Sequence, residues 1–170
     1  MNAIILVLAL FLAACNSPSE SHHPSDEELL QNFQHHEPDF NKLITMANED
    51  AKVIAITNDF TWLDNNMSWP RPDSELGFSR ERWDDYRKLF KELGLTSGIN
   101  RREDIANVVF LVASAHGAVL RGTEKGYAYS PKEPHPLVES LDRINVPVRN
   151  MVPIYKRLKG NWYLYYEVGR

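Results

Sequence analysis

The 170-residue sequence has a single cysteine, Cys15, so no disulfide bond can form within the chain. It also lacks an excess of positive charge, because 19 Lys and Arg residues stand against 23 Asp and Glu residues. The formal net charge is −4. Nucleic-acid binding depends on a basic surface, so we expect no nucleic-acid partner. Packing, rather than covalent cross-links, must stabilise the folded part.

No apolar run of the sequence is long enough to span a membrane as a helix. The longest runs from Ala3 to Ala14, whereas a helix needs roughly 20 apolar residues to cross the hydrocarbon core. A run of this length next to the N-terminus is typical of the apolar region of a secretory signal peptide. One feature departs from that pattern, because no Lys or Arg precedes the run.

The single cysteine follows this apolar run directly. Leu12, Ala13, Ala14 and Cys15 resemble the lipobox of bacterial lipoproteins, in which the signal peptide is removed and the cysteine is acylated. The resemblance predicts an envelope lipoprotein held in the membrane through a palmitate-type anchor on Cys15. In a host with two membranes we expect the outer membrane, facing the periplasm. The alternative is a secreted protein cut at an Ala-x-Ala-like site, with Cys15 as an incidental thiol.

These signals divide the chain into three parts. Residues 1–14 are the predicted signal peptide, residues 15–24 a short polar tether that carries two prolines, and residues 25–170 a single domain. His22 and His23 lie side by side in the tether. A histidine pair in a flexible linker does not predict a metal site, and we expect neither a metal nor another cofactor.

Helix signals are clear in two places. Ser25 to Glu28 fit a capping box, and the apolar residues that follow predict a helix over residues 25–48. Pro38 should break or kink this helix near His36. A second amphipathic helix is predicted over residues 80–93, where Gly94 supplies the stop.

The rest of the chain favours strands. Residues 51–56 predict a short strand, residues 107–129 a meander with turns at His116 and at residues 122–126, and the C-terminus a hairpin around Gly160. Residues 131–144 predict an extended lead followed by one or two helical turns. The fold class is therefore α+β, with two amphipathic helices packed on one antiparallel sheet of four to six strands.

Tyrosines near the C-terminus are candidates for a binding surface. Tyr163 and Tyr165 alternate with the apolar set of the last strand, and we expect Tyr127 or Tyr129 to join them if their strands are neighbours. Such a face could bind a peptide, a glycan or a protein. The alternative is that the two helices cover it. Trp162, Leu164, Tyr166 and Val168 form the predicted core face.

Two tryptophans lie in a long polar stretch, residues 58–78, which carries no clear element. Trp62 and Trp69 either fold back over the core or contact a partner or a sugar.

Catalytic signals are weak. His116 is the one candidate general base on the predicted sheet, and Ser114 lies two residues away in the predicted turn. No serine elbow and no H-E-x-x-H motif accompanies them. We therefore interpret His116 as a turn residue and expect no catalytic residues.

The segments SDEELL, ERWDDYRKLFKELGL, KGYAY and GNWYLYYE resemble a family of small uncharacterised bacterial proteins that often carry a lipoprotein signal. The resemblance spans most of residues 25–170 and implies a single domain, but no activity. The sequence thus favours a noncatalytic envelope lipoprotein that binds a protein or a cell-wall component. The alternatives are a periplasmic inhibitor or immunity-type protein, and an enzyme that uses His116 as general base.

Overall fold

The computed structural model describes residues 22–63, 66–68, 78–102, 104–117, 122–144 and 152–168. The predicted signal peptide, most of the tether, Cys15 and Trp69 lie outside these residues. The described elements are two helices and eight strands. In chain order they are α1 Asp26–Glu49, β1 Val53–Ile56, β2 Thr61–Leu63, β3 Asn66–Ser68, α2 Arg80–Glu92, β4 Gly98–Arg102, β5 Ile105–His116, β6 Thr123–Tyr129, β7 Ile154–Lys159 and β8 Trp162–Val168.

The described strands form one antiparallel sheet in the order β3-β2-β1-β4-β5-β6-β8-β7. The α+β class is confirmed, but the expected four to six strands are too few. Strands β2 and β3 lie within the stretch that we interpreted as a loop, and β4 was not predicted. All three are short, and a strand of three to five residues gives little periodicity in the sequence.

The helix signals are confirmed by the structure. The Ser25 side chain accepts from the Glu28 amide and the Glu28 side chain accepts from the Ser25 amide, which completes the capping box. His36 has non-helical backbone angles two residues before Pro38, so α1 is kinked where the proline removes a backbone donor. Ser79 caps α2, and Gly94 follows its end with a φ of +67°.

One face of the sheet, the helix face, packs against both helices. Residues that lie directly opposite each other on paired strands share a face, and one such row crosses the sheet through Ile99, Leu111, Tyr127 and Leu164. Phe33 and Phe40 of α1 pack on Trp162 and Tyr127 with ring centroids 4.5 to 6.4 Å apart. Burial of each such side chain contributes about 1.5–3 kcal/mol. The prediction that Trp162 and Leu164 face the core is confirmed.

The opposite face, the second face, carries a smaller apolar cluster. Its buried members are Val108, Phe110, Ala128, Tyr155, Tyr163 and Tyr165, and Ile105 and Leu137 pack against them. No described helix lies on this side. The buried apolar side chains of α1 and α2 all belong to the core of the helix face, and the other buried side chain of these helices is Asp26.

The end of the β4–β5 hairpin covers part of the second face. Arg102 pairs with Ile105 at one end of β5, whereas Glu167 lies in register with Glu124 and Ala115 near the other end. A straight strand would separate these ends by roughly 33 Å, yet the Arg102 guanidinium donates to the Glu167 carboxylate. The hairpin end must therefore fold back over the sheet. The register shift after Arg101 and the positive φ of Asn107 mark the bend.

Two predictions about the connections are wrong. Residues 131–144 form no helical turn, because residues 136–138 instead pair in parallel with Tyr155 at the edge of β7 through two backbone hydrogen bonds. Thr123 to Gly126, predicted as a turn, belong to β6. The segment predicted as the preceding strand, residues 118–121, lies outside the described residues.

Gly98 tests the packing between α2 and the sheet. It has a φ of +74°, and a Cβ there would lie 2.2 Å from the Ile56 carbonyl oxygen and 2.8 Å from the Phe90 ring. We expect Gly98→Ala to lower the free energy of unfolding by about 3 kcal/mol or more, because left-handed strain and overpacking add. Gly94→Ala is the matched control, since its φ is also positive but nothing lies within 4 Å. It should cost about 1 kcal/mol. Equal losses in urea denaturation would contradict this packing.

Candidate binding site on the second face

The four candidate tyrosines divide between the two faces of the sheet. Tyr163 lies opposite Ala128 and Tyr165 opposite Gly126, whereas Tyr127 lies opposite Leu164 and Tyr129 opposite Trp162. Tyr163 and Tyr165 therefore belong to the second face, and Tyr127 and Tyr129 to the helix face. The expectation that they form one surface is wrong, because the register of β6 and β8 places two of the tyrosines on each face of the sheet.

Burial also excludes three of these tyrosines from a contact surface. Tyr127 and Tyr165 are 0% exposed and Tyr163 is 2% exposed. Tyr127 donates to the Leu29 carbonyl and accepts from Asn32, and burial raises its pKa to about 12. Tyr129 is half-buried and lies edge-on against Trp162. These side chains stabilise the core, as in any sheet that is covered on both sides.

The alternative, that the helices cover Tyr163 and Tyr165, is also wrong. The helices lie on the other face, and the cover on this side comes from irregular parts of the chain. Leu137 and Ile105 pack against the cluster, and the Arg157 guanidinium lies 5.3 Å from the centroid of the Tyr163 ring. An alternating pattern reveals which residues share a face, but not what covers that face.

Among the candidate residues that the structure describes, Trp62 is the exposed one. It is 36% exposed, and it lies opposite Ala55, which in turn lies opposite Asn100. Because Asn100 pairs with Phe110, Trp62 belongs to the same second face as Tyr163. It lines a cavity of about 340 Å³ together with Asn58, Asp59, Phe60, Asn100 and Glu124.

A tight turn holds one rim of this cavity in place. The Thr57 hydroxyl accepts from the amides of Asp59 and Phe60, and the Thr57 amide donates to the Phe60 carbonyl at 2.9 Å. From the helix side, the Trp83 indole donates to the Thr57 carbonyl at 2.8 Å. Helix α2 therefore fixes the turn that presents Asp59, and the rim does not depend on a free loop.

Glu124 forms the acidic wall of the cavity. It lies directly opposite Glu167 on the neighbouring strand. Burial, and then the negative charge of Glu167, raise the pKa of Glu124 above its ordinary value. The Arg102 guanidinium holds Glu167, and the Tyr165 hydroxyl approaches Glu124 at 3.5 Å. Glu124 is thus a partly buried carboxyl group, and among the described residues its hydrogen bond is the long contact with Tyr165.

The chemistry of the lining limits what the cavity can bind. Its described lining residues include two carboxylates and two aromatic rings, but no Lys or Arg. An anionic ligand would meet carboxylates with no Lys or Arg among the described lining residues, whereas hydroxyl and ammonium groups find acceptors there. The exposed indole of Trp62 offers a flat apolar surface beside these acceptors. A polar, uncharged or cationic ligand fits best.

Sequence reasoning missed Glu124, which we had placed in a turn. Its relation to Glu167 becomes visible only once β6 and β8 are paired in register. Trp62 is exposed, so its role as a contact residue stays a prediction, and the sequence did not indicate its strand or its position opposite Ala55.

His116 and Ser114 lie on the helix face, away from this cavity lining. Ser114 belongs to β5 rather than to a turn, and it is 7% exposed. Its hydroxyl lies 2.9 Å from His116 Nε2 and 3.0 Å from Nδ1 of His23, a tether residue. No local pattern of residues predicts that His23 contacts them.

Within the part of the chain that the structure describes, no three His, Cys, Asp or Glu side chains come together as metal ligands. Neither of the described helices is long and apolar enough to cross a membrane. Comparison with protein-family models, curated proteins and solved structures finds no match.

Glu124 and Glu167 should affect stability in opposite directions. The pKa of Glu124 is raised in the folded state. Its contribution to the free energy of unfolding is therefore present at low pH and is lost as the pH rises above the pKa of the unfolded state. We expect Glu124→Gln to raise the free energy of unfolding at pH 7.5, with a gain that disappears near pH 4.5. Glu167→Gln should instead lower it by about 1–2 kcal/mol, because Arg102 loses a charged acceptor. Denaturation midpoints at both pH values test this. A destabilised Glu124→Gln protein at pH 7.5 would contradict it.

Proposed function

We propose that this chain is a noncatalytic binding module of the bacterial cell envelope, and that it takes a cell-wall component into the Trp62 cavity. The observation that supports this most directly is that the exposed Trp62 side chain lines the same cavity as Asp59 and Glu124. An accessible indole next to partly desolvated acceptors is an arrangement that a ligand would stabilise.

The ligand class follows from the groups that line the cavity. A sugar ring has an apolar face of C–H groups, which packs on an aromatic ring, and an edge of hydroxyl groups, which donate to carboxylates. Cell-wall polymers also carry amino groups on their peptide parts, and a cation next to Glu124 would offset its unfavourable burial. A wall fragment with a saccharide ring and a nearby donor therefore matches both parts of the site.

The size of the cavity suits one ring rather than an extended chain. About 340 Å³ lies at the small end of ordinary ligand sites. We therefore propose that one residue of the polymer enters the cavity, while its neighbours lie along the surface. Single-site affinity for such a ligand should be weak, and many repeating units on an insoluble wall would strengthen attachment by avidity.

Membrane anchoring belongs to the same proposal. Acylation of Cys15 would hold the domain at the membrane surface, close to the wall polymer that it binds. The lipobox-like residues that precede Cys15 support this part of the proposal. No catalytic step is assigned to the cavity.

Truncation of Trp62 tests the cavity. We expect Trp62→Ala to weaken cosedimentation with purified peptidoglycan sacculi by about ten-fold or more, because a central aromatic contact typically contributes more than 1 kcal/mol. Val152→Ala is the matched control, because Val152 is the other exposed large apolar side chain among the described residues, at 56%, and does not line the cavity. It should bind as the unchanged chain does.

Equal binding by the Trp62→Ala chain would exclude this cavity as the site. If the unchanged chain does not sediment with sacculi, the wall component is excluded. Circular dichroism of each variant confirms that folding is retained, which we expect because Trp62 lies on a short strand outside both buried clusters.

The anchor has its own test. We expect the unchanged chain to incorporate labelled palmitate and to fractionate with membranes, and Cys15→Ser to lose both properties. Mass spectrometry of the mature N-terminus decides between this and a secreted protein cut at an Ala-x-Ala-like site. An unmodified Cys15 in the mature chain would contradict lipidation.

A further inference from the structure

The segment before α1 is attached to the sheet through His23. Its Nδ1 atom lies 3.0 Å from the Ser114 hydroxyl, and its Nε2 atom lies 2.7 Å from the Thr123 hydroxyl. The ring packs on His116 with centroids 4.4 Å apart, and on the edge of Tyr166 at 5.6 Å. A residue of the predicted tether thus packs on side chains of β5, β6 and β8.

The hydrogen bonds form one chain, from Thr123 through His23 and Ser114 to His116. Ser114 lies 2.9 Å from His116 Nε2, so its hydroxyl is shared by both imidazoles. A neutral imidazole donates from one nitrogen and accepts at the other. With both histidines neutral the chain can run in either direction with every group satisfied. A protonated His23 would instead donate from both nitrogens, so that neither Ser114 nor Thr123 could donate to it.

The charges around His23 come from several elements. Lys125 of β6 is buried at 2% exposure, and Asp26 of α1 and Asp142 hold its ammonium at 2.9 Å and 2.5 Å. Lys156 of β7 also binds Asp26, at 3.0 Å. The two carboxylates are therefore already engaged by two lysines. The other titratable groups that face His23 are His116 of β5 and Tyr166 of β8.

We propose that residues 22–25 form a pH-sensitive latch, in which neutral His23 holds the N-terminal segment on the sheet and protonation of His23 releases it. The latch lies on the helix face, and the proposal is independent of the ligand in the Trp62 cavity. If Cys15 carries the lipid, the latch also sets where the tether leaves the domain, and hence how the domain faces the membrane.

The direction of the pH effect follows from the surroundings of His23. Burial, then His116, then Lys125 lower the pKa of docked His23 to about 4, from an ordinary value of 6.5. The released segment therefore binds more protons between these pH values. Docking is strongest above about pH 6.5 and weakens as the pH falls toward 4. After allowance for the partial exposure of the ring, we expect a weakening of about ten-fold between pH 7.5 and pH 5.

Hydrogen exchange on the full chain with Cys15→Ser tests the latch. We expect the protection of the His22 and His23 amides, corrected for intrinsic exchange rates, to fall about ten-fold from pH 7.5 to pH 5, since Pro24 has no amide hydrogen and the Ser25 amide donates to Glu28. His23→Gln removes the titrating group but keeps a donor and an acceptor, so its protection should not depend on pH. His35→Gln is the control, since His35 is exposed on α1, and it should behave as the unchanged chain.

A pH-dependent loss that persists in His23→Gln would overturn the proposal, as would constant protection in the unchanged chain. If His23→Gln fails to dock at any pH, the NMR titration of the His23 ring in the unchanged chain decides. A midpoint well below 6.5 supports the latch, and a midpoint near 6.5 overturns it.

Discussion

The cross-strand register of β5, β6 and β8 is the constraint on which the other features depend. Because successive residues of a strand point to opposite faces, this register places Leu111, Tyr127 and Leu164 under the helices. The same register places Glu124 opposite Glu167 on the second face. The shift between Val112 and Ser114 is equally important, because it returns Ser114 to the helix face beside Lys125. A shift of this register by one residue would move the core side chains to the second face and the cavity wall to the helix face. It would also separate the residues that contact His23.

A buried ion pair ties the start of α1 to this framework. Asp26 is 4% exposed, and its Oδ2 atom accepts from Lys156 and from the Leu141 amide, while its own amide donates to Asp142. Burial raises the pKa of Asp26, but the hydrogen bonds from Lys125, Leu141 and Lys156 outweigh it and the pKa is lowered. A buried ion pair contributes little net stability over an apolar pair, and the loss of one partner leaves an uncompensated charge. Its effect here is on position, since it fixes the chain beside His23.

Local signals made part of this fold predictable from the sequence. Each of these signals depends on residues within one helical turn, so the interacting residues are close together in the sequence. They are the capping box at Ser25, the break before Pro38 and the stop at Gly94. The second face was different. The burial of Tyr163 and Tyr165 depends on the fold-back of Arg102 and Ile105 from a distant hairpin and on Leu137 from an irregular segment. The periodicity of apolar residues does not indicate which distant segments cover a face of the sheet. It also does not indicate the contact between His23 and Ser114.

The end of β6 joins the cavity and the latch. Thr123 and Lys125 point to the helix face, where they bind or border His23, and Glu124 between them points to the cavity. The pKa of Glu124 is raised and that of His23 is lowered, so both groups depart from their ordinary values toward the neutral form. Acidification therefore adds positive charge on one face of these three residues and removes negative charge on the other. The alternation of β6 thus places the contacts of His23 and the acidic wall of the cavity on opposite faces of the same three residues.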